Sequence, residues 1–217
     1  MEEYIHQKHL LIIGVEMNLD DFSDDRIIYV IDTETTGLEG HPRDVVVDMG
    51  ICSVNMALGK VNDIYSSVVG HDISGWSDAM RHAWIFENTD LTLEMVSNAP
   101  SISKVVKDVE CILKGRNVTS FNVAFDMDKF LYNSPWNMKG TFNLMPDIMI
   151  VAKDVCKIPS PYYERKYAFP KLNVAYDMIV MGDPAGVGGI QDHRALSDAR
   201  MASYLMLQMH RNGDYVF

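Results

Sequence analysis

The stretch from Ile27 to Leu38 reads IIYVIDTETTGL. Five apolar residues, Ile27 to Ile31, run without interruption into Asp32, Thr33 and Glu34. A continuous apolar run of this kind predicts a strand over 27–33, covered on both faces in the middle of a sheet. Side chains two apart on a strand point to the same face, so Asp32 and Glu34 lie side by side. Two carboxylates held together at the end of a buried element repel unless the strand emerges into solvent or a cation sits between them. Taken singly, the pair allows either reading. Thr35-Thr36-Gly37 marks a tight turn, with Gly37 supplying its conformational freedom.

Outward from this strand the pattern is α/β. DVVVDMGICSVNM (44–56) and KVNDIYSSVVG (60–70) are rich in β-branched residues, with Ala57-Leu58-Gly59 between them, and predict an antiparallel hairpin. Apolar residues recur at helical spacing over Ser101–Leu113, after Pro100 and before Gly115. NVTSFN (117–122) reads as a short strand followed by a helix, AFDMDKFLY. PDIMIVAKDVC (146–156) and PKLNVAYDMIV (170–180) read as helices, GDPAGVGGIQ (182–191) as a loop, and a last helix runs from near Arg194 to about His210. Three strands, then helices alternating with one more strand, predict a mixed central sheet flanked by helices. Residues 1–26 form an extension, in which HLLIIGV offers an extra strand; residues 27–217 form the main domain.

The chain has 217 residues, 47% of them hydrophobic, enough for one generous core. Its formal net charge of −11 argues against passive capture of nucleic acid on a basic face. Bound cations at a site would change that balance locally. Three cysteines, Cys52, Cys111 and Cys156, are far apart in apolar contexts and read as reduced, mostly buried thiols, with no zinc pattern. No apolar stretch reaches membrane length and the N-terminus has no basic leader, so the expected location is cytoplasmic.

Three further residues stand out against this frame. Asp198 falls on the apolar stripe of the last helix, between Ala195 and Ala202, where a carboxylate needs a strong partner or serves the helix dipole. Asp126 shares a helix face with Phe130 just after the short strand; alone it reads better as a surface acid near a helix start. His193 lies five residues before Asp198, roughly 140° away on a continuous helix, and is therefore expected in the entering loop, leaning over whatever Asp198 binds. The four acids offer only oxygen ligands, which suit Mg²⁺ or Mn²⁺. Paired cations in such sites activate water and stabilise a leaving oxygen in phosphate-ester hydrolysis, and a nearby imidazole takes the water's proton.

DTETTGL (32–38), NVAFDMDKFL (122–131) and HRALSDAR (193–200) resemble, in order and spacing, the three motifs of the DEDDh 3′–5′ exonuclease superfamily, with the proofreading epsilon subunit of bacterial DNA polymerase III as the nearest comparison. The resemblance covers about Ile27 to Met209. It implies a ribonuclease H-like fold and hydrolysis of a DNA 3′ end, single-stranded or frayed, to nucleoside 5′-monophosphates. By position, Asp32, Glu34 and Asp198 would ligate the first of two Mg²⁺ (or Mn²⁺) ions. Asp32 would bridge to the second, with Asp126 helping through water, and His193 would be the general base. Thr33, Thr35, Thr36, Leu38 and Asn122 would contact the terminal nucleotide. RNA is the alternative substrate, because discrimination rests on the 2′-hydroxyl. A non-catalytic module binding a polymerase or nucleic acid is the other alternative. Any polymerase partner is expected to be a separate chain.

Relatives often carry His-Asn where this chain has Phe121-Asn122. A second difference is KIPSPYYERKYAFPKLN (157–173), where basic residues interleave with aromatics. That pattern suits single-stranded nucleic acid, and equally a solvated loop whose aromatics enter the core. Its YAFPKL portion resembles a segment before the third motif of some DNA exonucleases. GDPAGVGG lacks the ending of a phosphate-binding loop, and Trp76, Trp84 and Trp136 show no interpretable spacing.

Overall fold

The computed structural model describes residues 9–12, 15–18, 26–162, 166–182 and 191–217. Near the N-terminus, β1 (His9–Ile12) and β2 (Val15–Asn18) pair with each other in an antiparallel ribbon. The HLLIIGV segment thus forms strand structure without joining the main sheet. That sheet contains β3 (Ile27–Thr35), β4 (Val46–Asn55), β5 (Lys60–Val68), β6 (Asn117–Ser120) and β7 (Asn143–Leu144), in the order β5-β4-β3-β6-β7. β3, β4 and β5 are antiparallel neighbours, while β6 and β7 run parallel to β3 and to each other. The IIYVI run is therefore central, as its unbroken apolarity requires. β7 carries no sequence signal: two residues are too few to show a period.

Alternation along β3 sorts the two cores. Ile28 and Val30 join the cluster that includes Ala202, Leu205, Met206 and Met209 of α7 (Ala195–Arg211). Ile31 joins the opposite cluster with Val105, Val109 and Leu113 of α4 (Ile102–Leu113). Between β5 and α4 lie three short helices, α1 (Asp78–Arg81), α2 (Trp84–Asn88) and α3 (Leu93–Asn98). They enclose a third small core with Val47. α5 (Ile148–Cys156) and α6 (Leu172–Tyr176) pack on the α7 side. Every residue of β4 is buried, since helices cover both of its faces.

Two helices depart from the expected geometry. Ala124–Leu131 and Asp177–Met181 are wound as π-helices, the first closing with a Tyr132 N–H bond to the Met127 carbonyl, five residues back. Such wide turns are uncommon and concentrate at functional sites. The cysteines also differ from expectation. Cys52 is buried, Cys156 is half-buried and Cys111 is exposed. Cys111 lies on α4 between core positions 109 and 113, where its turn faces outward. The tip of the segment 157–173, at 163–165, and most of the 182–191 loop lie outside the described residues.

Candidate active site

The period-two rule that buries Ile28 and Val30 against α7 carries Asp32 and Glu34 to the same face at the end of β3. Glu34 pairs in register with Asp48 of β4, and Asp32 with Gly50. Gly50 is needed there: a Cβ would stand 2.2 Å from the Ala195 carbonyl carbon. The first turn of α7 is thus pressed onto the sheet, and Asp198, one turn in, arrives beside Glu34, 4% exposed.

Asp48, itself 1% exposed, fixes the helix start. Its Oδ2 accepts from Arg194 Nε at 2.9 Å and from the Ala195 N–H at 3.2 Å, while Arg194 also reaches Asp90 at 3.2 Å. His193, next to this anchor, has φ +52° and lies outside the helix, as its offset from Asp198 requires. Its Nδ1 is 4.0 Å from Asp198 Oδ2, and its ring meets Trp84 edge-on with centroids 4.8 Å apart. Gln191 donates to the same Asp198 oxygen.

Asp126 comes from the other side of the sheet. It sits in the π-helix after β6 and accepts a 2.7 Å hydrogen bond from the Thr33 hydroxyl. At 2% exposure it is not a surface acid. The structure therefore brings Asp32, Glu34, Asp126, Asp198 and His193 to one end of the central strand, with Asp48 as a further carboxylate.

Crowding and burial drive these acids toward their neutral forms. Burial first, then Asp126, Glu34, Asp198 and Asp48, hold the Asp32 carboxyl well above its usual range. Burial, with Asp198 and Asp48, pushes Glu34 up to about 9. Burial raises Asp126 to about 7 against the lowering hydrogen bond from Thr33. Asp198 also rises to about 7 through burial, opposed by Gln191. His193 moves the other way, lowered mainly by burial, which favours the neutral imidazole.

This donor set fits a hard divalent cation. Oxygen or nitrogen atoms of Glu34, His193 and Asp198 all lie within 4.8 Å of one another. Asp198 Oδ1 is buried with no hydrogen-bond partner among the described residues, an open coordination a cation satisfies. This triad includes His193, whereas the set implied by the family resemblance joins Asp32 to Glu34 and Asp198.

A cleft of about 500 Å³ opens beside the acids, lined by Thr33 to Leu38, Trp84, Ile85 and Phe125. The hydroxyls of the three threonines are engaged within the protein: Thr33 on Asp126, Thr35 on the Gly37 carbonyl, and Thr36 on Asp44. Leu38 stands at the rim, 72% exposed. Asp44, which carries no sequence signal, also accepts from the Glu39 N–H and holds the turn. Asn122 does not line the cleft; it has φ +84°, and its N–H and that of Val123 donate to Asp147, the N-cap of α5. Trp84, Ile85 and Phe125 form the apolar wall that sequence reasoning missed, because α2 is five residues long and shows no period.

Residues 29–206 match the RNase_T exonuclease family along most of the chain. This chain belongs to that exonuclease family. The exonuclease is 27% identical over 207 residues to a PolC-type DNA polymerase III from Thermotoga maritima, an alignment covering 91% of this chain and 13% of the polymerase. Among solved structures it is similar to a 3′-exonuclease in 3′-end-specific recognition of a histone mRNA stem-loop. The TM-score is 0.61 at 18% identity, over 89% of this chain and 85% of that one. It is also similar to the nuclease domain of 3′hExo, a DEDDh family member bound to rAMP, with TM-score 0.57 at 16% identity, covering 88% and 95% of the two chains. These neighbours share the ribonuclease H-like fold, a mixed five-stranded sheet flanked by helices. No helix of the described residues is long and apolar enough to cross a membrane.

Proposed function

We propose that this exonuclease removes nucleotides one at a time from the 3′ end of DNA, releasing nucleoside 5′-monophosphates. The observation that carries the reading is the convergence of Asp32, Glu34, Asp126, Asp198 and His193 beside a cleft of nucleotide size. Residues 27–217 form the nuclease domain, with 1–26 as its extension.

Asp32, Glu34 and Asp198 would hold one divalent cation and Asp32 with Asp126 a second, Mg²⁺ or Mn²⁺ in each case. Such ions supply activation of water and charge stabilisation on the leaving oxygen. The chain's own residues do the rest. His193, kept neutral by burial, accepts the proton of the attacking water. The edge-on Trp84 contact and the left-handed backbone at 193 hold the ring in place. Trp84, Ile85, Phe125 and Leu38 give the terminal base an apolar seat. Thr33, Thr35 and Thr36 shape the floor of the cleft, and the Asn122 N–H ties the start of α5 to the turn that leads into the Asp126 helix through Asp147.

DNA is favoured because curated relatives it matches are PolC-type DNA polymerases III, of whose length the alignments cover 13% and 12%. A DNA polymerase is the partner this suggests. Matched DNA and RNA oligonucleotides carrying a 5′ label test the substrate. Stepwise shortening of DNA with Mg²⁺ or Mn²⁺ supports the reading. Preferential shortening of RNA would make the enzyme an exoribonuclease, and no degradation of either would leave a binding module.

A further inference from the structure

The segment from Lys157 to Asn173 interleaves cations with aromatic rings, and its described part shows where those rings lie. Tyr162 is 72% and Phe169 43% exposed. Lys166 and Lys171 are exposed as well. Tyr162 and Phe169 are therefore not core residues, and Tyr167 is half-buried. Lys166 Nζ stands 5.0 Å from the centre of the Tyr167 ring, and Lys153 Nζ of α5 stands 5.5 Å from that of Phe169. These four residues and Asp154 line a surface cavity of about 530 Å³. Asp154, the carboxylate in this lining, is 3.4 Å from Lys153. In a chain of net charge −11, a cluster with this sign stands apart.

Its position matters as much as its chemistry. α5 begins at Asp147, which binds the Asn122 and Val123 N–H groups at the edge of the catalytic cluster. Lys153 is six residues further on, roughly 9 Å along a helix rising ~1.5 Å per residue. Lys171 stands at the N-terminus of α6, which packs on α7. The basic, aromatic surface thus lies on α5 and on the segment entering α6, two elements packed with α7 on the face of β3 that carries Ile28 and Val30 and, at its end, Asp32 and Glu34. Ile150, 48% exposed on the same side of α5 as Lys153, extends its apolar part.

We propose that Lys153, Lys166, Tyr167 and Phe169, with Lys171 at the start of α6, bind the single-stranded stretch of nucleic acid that precedes the 3′-terminal nucleotide. The lysines contact phosphates, and the rings beside them, Phe169 exposed and Tyr167 half-buried, stack with bases, the combination that holds single strands without reading sequence. The placement rests on the nuclease reading; the binding chemistry does not. Such a surface gives an acidic enzyme a local grip on a polyanion and makes affinity depend on substrate length.

The experiment uses the full chain, with fluorescence anisotropy of labelled thymidine oligonucleotides of about twelve and about three residues, in EDTA. Cleavage of the same two substrates with Mn²⁺ is measured in parallel. The proposal expects the longer oligonucleotide to bind at least about tenfold more tightly. In Lys153→Gln/Lys166→Gln that advantage disappears, and the slope of log affinity against log salt falls by roughly 0.7 for each phosphate that a lysine no longer neutralises. Phe169→Ala weakens the long substrate by about fivefold or more. Cleavage of the short substrate stays unchanged in all variants. Equal affinity for both lengths, or unchanged long-substrate binding in the lysine and Phe169 variants, overturns the proposal. Length-dependent binding without any cleavage overturns the nuclease reading and leaves this surface standing.

Discussion

Asp32 and Glu34 sit where burial and like charge both oppose ionisation. That tension has a measurable sign. Asp32→Asn removes the cost of protonating that buried carboxyl on folding and is expected to raise the melting temperature of the metal-free protein, by ~2–4 °C for each kcal/mol relieved in a chain of this size. The same change abolishes most of the nuclease activity and blunts the rise in melting temperature on adding Mn²⁺. Calorimetry with and without the ion checks both; a lower melting point for the metal-free variant would contradict the account. His193 gives a second residue-scale expectation. Burial lowers its pKa below the ordinary 6.5, so the imidazole stays neutral through neutral pH. The acid limb of kcat/KM attributed to it should fall below that value. His193→Ala should lose the limb and ~10²–10⁴ in kcat, with KM little changed.

At the scale of elements, the site depends on how α7 meets the sheet. Gly50→Ala would drive a Cβ into the backbone at Ala195. It is expected to cost at least ~1–3 kcal/mol, the usual range for overpacking, and to displace Asp198 and His193 together. Arg194→Ala leaves buried Asp48 without its cation and is expected to cost about 3 kcal/mol. Denaturant melts measure both, and activity should fall further than the drop in stability alone explains. Much of this was legible in the sequence. The IIYVI run marked the central strand, and the offset between His193 and Asp198 placed the histidine before the helix. Asp198 showed itself by standing on an apolar stripe. What stayed hidden lacked a period or depended on contacts across the fold. β7 and α2 are too short to carry a pattern. Asp48 reads as one polar residue in a strand until its register opposite Glu34 is known. Asp126 reads as a surface acid until the π-turn aims it at Thr33.

Across the whole molecule, the raised carboxylates link protonation to stability. Glu34 moves from 4.5 to about 9, and Asp126 and Asp198 from 3.8 to about 7. The native state therefore holds protons that the unfolded chain has already released. The stability this contributes is complete below the unfolded values and is lost as pH rises through the folded ones. The metal-free protein should melt progressively lower between about pH 5 and pH 9, and Mg²⁺ or Mn²⁺ should restore more stability at the alkaline end. A metal effect independent of pH would break this link. The acids at the end of the central strand border an apolar cleft, and a separate cavity on α5 and the segment before α6 is lined by lysines and aromatic rings.

The central claim, that this acidic cluster is a cation-dependent site cutting from the 3′ end, meets its most direct test in one gel. A 5′-labelled DNA oligonucleotide is incubated with Mn²⁺ and with either the native protein or Asp32→Asn. The account predicts a ladder of products shortened one nucleotide at a time from the 3′ end by the native protein, lost in EDTA and in the variant. Immediate release of the label as a mononucleotide, or an undiminished ladder from Asp32→Asn, would contradict it.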